Sequence, residues 1–188
     1  MIISFCGDEG SGKSTIAKKI AEELGYPRYY MGQIFRDMAK KRGMTIMEYV
    51  KSGEEDPNVD REVDEYILKL AGKQTDFVIE SRTAWHLVPS SLKIYLQVSE
   101  EEGAKRIFKQ LQQNKKDSRN ELNKNASYTD ALVNIRERRK TDDLRYKKYY
   151  GIYIRDPKNY DFVLNTTDLS REEVFEKVIA FVRENLNK

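Results

Sequence analysis

The run Gly7-Asp8-Glu9-Gly10-Ser11-Gly12-Lys13-Ser14 fits G-x-x-x-x-G-K-[ST] and constrains the fold more than any other stretch of the chain. Strand-like MIISFC comes directly before it, and an amphipathic segment over Lys13–Leu24 comes directly after. Glycines let the backbone bend until successive N–H groups point inward, and the helix N-terminus adds its positive end. The resulting nest, Gly7, Asp8, Glu9, Gly10, Ser11, Gly12, Lys13, Ser14 and Thr15, is expected to hold the phosphates of ATP. Lys13 is expected to reach the β- and γ-phosphates, and the Ser14 hydroxyl to bind Mg²⁺.

The remainder alternates in the same way. Strand-like runs at 1–6, 28–31, 77–80, 92–98 and 162–165 are separated by helical patterns at 33–41, 45–51, 59–71, 100–113 and 130–149, with a last helix over 171–186. This order predicts βαβ units and a parallel sheet with helices on both faces. At 188 residues the chain is one domain, 1–188. Residues 114–128 (NKKDSRNELNKNASY) lack apolar periodicity and are a lid candidate. No run of about 18 or more uncharged apolar residues occurs, so no membrane span is expected. MIISFCGDEG lacks a basic leader and is expected to enter the fold directly. One cysteine, Cys6, and one histidine, His86, leave neither a disulfide framework nor a Cys/His zinc cluster. A cytoplasmic location follows by default.

A formal net charge of +3 is too small to argue for nucleic-acid binding. Residues 101–150, however, carry 14 Lys/Arg against 8 Asp/Glu, leaving 20 against 23 elsewhere. Positive charge gathered in one region suits an anionic small ligand or a nucleic-acid strand, and a solvated helical face equally.

The N-K-x-D motif of GTPases is absent, and no room exists for the extra modules of large ATPases, so small phosphotransferases are the simplest class. Such an enzyme must gather arginines around two anionic reactants. Arg36 lies where a helix opens beside the phosphate-binding loop, and Arg82 follows the strand FVIE at the sheet's C-terminal edge. Glu80, ending that strand, is placed to hold Mg²⁺ through water. Arg138, Asp142 and Arg145 stand at i, i+4 and i+7, hence on one helical face. The carboxylate among them suits ribose hydroxyls; the bland alternative is a salt-bridge ladder.

These positions carry a resemblance. GSGKST, GQIFRDMAKKRGMTIMEYVKSGEEDPNVDREVD, the segment 80–84, LRYKKYYGI and YDFVLNTTDLSREEV resemble archaeal-type cytidylate kinases of the nucleoside monophosphate kinase family over nearly the whole chain. The resemblance implies a three-layer α/β P-loop kinase fold with five parallel strands, an NMP-binding segment around 36–71 and a lid near 114–128. It implies transfer of the ATP γ-phosphoryl group to CMP or dCMP with Mg²⁺. Arg36, Arg82 and Arg145 would hold the acceptor phosphate, and Arg138 and Asp142 the ribose; Lys13, Arg82 and Arg145 would be catalytic.

The sequence departs from common bacterial cytidylate kinases in reading Ser81-Arg82-Thr83, which lacks their Gly-Arg-Asp pattern and so its base-reading carboxylate. Asp60, Arg61 and Asp64 are the candidates to read cytosine, since a carboxylate accepts from its exocyclic amine. Arg106, Arg119, Arg136 and Arg139 compete to reach the transferring phosphate. Cys6, His86, Tyr149, Tyr150 and Tyr153 are assigned to packing. The rival readings are a kinase of shikimate, dephospho-coenzyme A or another nucleotide, and an RNA-binding P-loop ATPase. The expected partners are therefore small nucleotides, with no nucleic acid or membrane, bound by a monomer.

Overall fold

The structure is a computed structural model and describes residues 1–113 and 126–186. Five parallel strands, β1 (Ile2–Gly7), β2 (Arg28–Tyr30), β3 (Phe77–Glu80), β4 (Leu92–Gln97) and β5 (Phe162–Asn165), stand in the order β2-β3-β1-β4-β5. The eight α-helices among the described residues are α1 (Lys13–Leu24), α2 (Met31–Lys41), α3 (Ile46–Ser52), α4 (Asn58–Ala71), α5 (Ala84–Leu87), α6 (Glu100–Gln113), α7 (Tyr128–Tyr150) and α8 (Arg171–Leu186).

Alternation along β1 decides the layers. Ile3 and Phe5 pack with Ile16 and Ile20 of α1 and Val174 and Val178 of α8 on one face. Each such buried aliphatic contributes about 1.5–3 kcal/mol of transfer free energy. On the opposite face, Cys6 packs with Trp85, Tyr95 and Tyr146, while Phe77 and Ile79 of β3 carry the apolar sides of α2, α3 and α4. Helices α2, α3 and α4 are thereby attached to the sheet through β3.

β1 has β3 on one side and β4 on the other, so the connections diverge at its C-terminal end, where open α/β sheets bind ligands. The helix α2 starts at Met31, directly after β2, two residues before the sequence pattern suggested. Helix α7 starts at Tyr128, because Ser127 and Asp130 form a capping box before it. Of the lid expected over 114–128, residues 114–125 lie outside the described residues, and 127–128 belong to this cap and helix. The single turn α5, not anticipated, swings Trp85 under the sheet edge, where its indole nitrogen donates to the Arg82 carbonyl at 2.9 Å.

Candidate active site

The loop after β1 turns as the glycine pattern requires. Gly10 has φ +78°, and a Cβ there would lie 2.5 Å from the Gly103 carbonyl oxygen; Gly12, at φ +84°, caps α1. Asp8 braces the loop rather than facing a ligand. Its carboxylate accepts from the Tyr95 hydroxyl at 2.8 Å and the Val98 N–H at 3.1 Å, fastening the loop to β4.

Two cavities meet at this loop. A groove of about 970 Å³ runs over it toward α6 and the start of α8, edged by Lys105, Arg106, Lys109 and Arg171. On the other side lies a cavity of about 100 Å³, lined by Arg36, Glu80, Arg82, Arg138, Asp142 and Arg145, with Met31, Phe35 and Val50 as an apolar wall. Lys13 and Ser14 line both. Burial and the neighbouring Arg82 guanidinium push the Lys13 ammonium below its ordinary pKa, with Glu9 opposing.

Arg82 stands at the centre. It donates to the Gly7 carbonyl and the Glu9 carboxylate, and its Nε lies 3.2 Å from Asp142 Oδ2. Arg36 donates to the Tyr30 hydroxyl at 2.9 Å and lies over that ring at 5.3 Å. Arg138 Nε is 3.9 Å from Glu9 Oε1. Arg145 reaches the cavity wall but is only 1% exposed. It pairs with Asp60 at 2.6 Å and Asp142 at 3.4 Å and donates to the Val50 carbonyl at 2.9 Å.

The three residues considered for the base do not gather. Asp60 is buried behind the wall against Arg145 and Tyr146, and Asp64 accepts from Thr83 at 2.8 Å and from Tyr150. Arg61 points away from the cavity, exposed and paired with Glu65 at 3.1 Å. The cause is helical geometry: Val59, Val63 and Ile67 fix the buried stripe of α4, Asp60 and Asp64 border it, and Arg61 lies on the solvent side. Burial, aided by the nearby Asp142 and Asp64 carboxylates, pushes Asp60 up to about 6 against the opposing Arg145 guanidinium.

Glu80 tests the fit of a divalent cation. Arg28 donates to its Oε1 at 2.7 Å, whereas its Oε2 is buried with no hydrogen-bond partner beside the cavity that Ser14 also lines. A hard cation held through water suits such a carboxylate and hydroxyl. Among the lid candidates, Arg106 donates to the Thr166 carbonyl at 2.7 Å and that of Thr167 at 3.0 Å beside the groove, and Arg136 faces Glu100 at 2.8 Å. Arg139 turns inward to Glu9 at 3.4 Å, and Arg119 lies outside the described residues. Two features escaped sequence reasoning. Arg155, in the loop after α7, reaches Asp8 at 3.5 Å, and Glu9 collects arginines from several elements. No motif spacing marks either.

Residues 2–168 match the model of the cytidylate kinase-like family. The cytidylate kinase of Pyrococcus horikoshii is 37% identical over 183 residues, covering 97% of this chain and 88% of that protein. That of Sulfurisphaera tokodaii is 32% identical over 190 residues, covering 100% and 98%. A solved shikimate kinase from Acinetobacter baumannii, in complex with shikimate, superposes with a TM-score of 0.61 at 16% identity, covering 100% of this chain and 95% of that one. At that identity the likeness concerns the fold alone, that of a P-loop kinase. With the loop, the diverging sheet edge and the arginine-lined cavity in one place, the match over almost the entire length means that the chain belongs to the cytidylate kinase-like family.

Proposed function

We propose that the chain transfers the γ-phosphoryl group of ATP to CMP or dCMP, giving ADP and CDP or dCDP. The observation that carries this reading is that Lys13 lines two cavities at once, one over the loop backbone and one walled by arginines. A donor triphosphate in the groove and an acceptor phosphate in the cavity would then approach each other across one ammonium. The names of the curated relatives supply the acceptor's identity, and the arginines' convergence on a cavity favours a small acceptor over a nucleic-acid strand.

In this reading Lys13 and Arg82 stabilise charge on the transferring group, and Arg36 and Arg82 orient the acceptor phosphate. Asp142 accepts from ribose hydroxyls beside Arg138. The acceptor oxygen is already anionic, so no histidine base is needed. Ser14, and Glu80 through water, would hold Mg²⁺, which when bound neutralises phosphate charge. In the same reading the chain acts as a monomer, in the cytoplasm where nucleotides are met.

A coupled assay of ADP release across CMP, dCMP, UMP, AMP, GMP and shikimate tests the reading. CMP or dCMP is expected to turn over fastest. A purine preference, or activity on shikimate alone, would overturn it.

A further inference from the structure

The densest charge in the molecule surrounds one buried carboxylate, that of Glu9, in the phosphate-binding loop itself. Arg82 donates to its Oε1, and Arg138 Nε lies 3.9 Å from the same oxygen. Arg139 Nε is 3.4 Å and Arg155 Nη2 3.9 Å from Oε2. These four guanidinium groups come from the β3–α5 loop, from α7 and from the loop beyond it, so Glu9 is where three parts of the chain are electrostatically joined. Arg82 and Arg138 also line the small cavity, and Lys13 contributes a further positive charge to the same region.

Cations packed this closely repel one another strongly in a water-poor site, and an anion must be present for the arrangement to persist. Asp8 serves Arg139 and Arg155 at 3.7 and 3.5 Å, but its carboxylate is already committed to Tyr95 and Val98. The two acids do not satisfy every donor: Arg155 Nε and Nη2 lie at ion-pair distances of 3.5 Å from Asp8 and 3.9 Å from Glu9, buried and without a hydrogen bond to either. Of this ring, Arg82 and Arg138 line the small cavity together with Glu9, and there a phosphate oxygen can compete with the carboxylate for their donors.

We propose that Glu9 is a resident stand-in for substrate phosphate: a positioning residue that holds Arg82, Arg138 and Arg139 over the loop when no anion is bound, and competes with phosphate oxygens for them. Its presence keeps the arginines ordered before substrate arrives and weakens their grip on free phosphates. An arginine site without such a carboxylate would bind inorganic anions tightly and release a nucleoside diphosphate slowly. This inference rests on the cavity receiving the acceptor's phosphate and not on which nucleoside carries it.

The test is calorimetric titration with pyrophosphate in the absence of any nucleotide, so that its failure is distinct from a failure in the substrate panel. Glu9→Gln is expected to bind pyrophosphate about tenfold or more tightly than the unsubstituted protein, with a steeper loss of affinity as salt rises. Glu9→Asp, which keeps the charge, should bind it much as the unsubstituted protein does. In turnover, Glu9→Gln should lower kcat while KM for the acceptor stays level or falls. A role confined to folding would instead leave pyrophosphate affinity unchanged or weaker, and either result overturns the proposal. Should Glu9→Gln be unfolded on its own, recovery of its helical circular dichroism on adding pyrophosphate supports the proposal. Failure to recover counts against it.

Discussion

The groove over the phosphate-binding loop has about 970 Å³ of room and is edged by Lys105, Arg106, Lys109 and Arg171, whereas the cavity beside it has about 100 Å³ and is walled by arginines of which Arg82, Arg138 and Arg145 already face carboxylates. Ligand pockets ordinarily span about 300–1,000 Å³, so the groove accepts a nucleotide as it stands and the cavity holds little more than a phosphate group. A whole acceptor enters only if the wall parts. Glu54, just beyond α3, is fastened to α7 by Thr141 at 2.8 Å, Lys148 at 2.6 Å and Tyr149 at 3.0 Å, which ties α3, whose Val50 lines the wall, to that helix. In the proposed function one substrate would meet a preformed surface, and the other would replace internal partners. Substitutions among the buried ion pairs of the cavity wall are therefore expected to disturb the fold as well as catalysis, and those of exposed side chains at the groove's outer edge to disturb neither much.

Arg145→Ala gives the largest expected effect. It strands Asp60 in the interior and leaves Asp142 with Arg82 alone, and breaking a buried pair by removing one partner costs about 3–5 kcal/mol. For a domain of this size the melting temperature should fall by roughly 6–20 °C. A variant that melts like the parent but turns over slowly would mean that Arg145 serves substrate phosphate and not the cavity wall.

Lys13→Ala should come next, and its loss should be in chemistry alone. Withdrawing one preorganised charge from the transferring group costs on the order of 10²–10³ in kcat, about 2.7–4 kcal/mol. Melting should barely change, because the contact that Lys13 makes to the fold is a 3.3 Å bond to the Asp8 carbonyl at the loop's edge. A folded Lys13→Ala protein with most of its activity would remove the meeting point of the two cavities from the mechanism.

Acidity separates the two sides further. Asp60 is raised to about 6 from an ordinary value near 3.8, so between these values the folded state holds a proton that the unfolded chain has released. Stability from this group is fully present below about pH 3.8 and is lost as pH rises through 6, by about 2–3 kcal/mol. Urea unfolding of Asp60→Asn and the unsubstituted protein between pH 4 and 6.5 should show only the latter losing that increment. Parallel curves would mean that Arg145 outweighs burial and keeps Asp60 ionised throughout.

How much of this was legible in the sequence follows the same division. The loop was, because its chemistry is local: glycines at fixed spacing between a strand and a helix leave the backbone one way to run. Arg82 reaches the cavity because it follows the C-terminal end of β3, and Arg36 because it lies on α2, the helix that opens directly after β2. The pairings behind the wall were not legible, since they depend on side chains from distant segments. The resemblance gives Arg145 to the acceptor phosphate, yet in the structure it meets Asp60, 85 positions earlier, through a side-chain contact between α7 and α4 that no sequence spacing encodes. The α4 stripe of Val59, Val63 and Ile67 did contain a usable signal, placing Asp60 and Asp64 toward the interior and Arg61 outside. Glu9 left no signal, because an acidic residue at a variable loop position is indistinguishable in sequence from a solvated one.

Lys109→Ala carries the smallest expected effect and tests the open side directly. Lys109 is exposed on α6 and edges the groove, so its charge reaches a bound triphosphate only through water and mobile ions. An exposed charge contributes about 0–1 kcal/mol, so KM for ATP should rise by no more than about threefold, and less at higher salt. KM for CMP and the melting temperature should not move, since Lys109 touches neither the cavity nor its ion pairs. Saturation curves for each substrate, with the other held in excess, read both sides at once. A steep rise in KM for ATP would mean that α6 closes onto the donor, and that the groove, like the cavity, is completed only when its substrate binds.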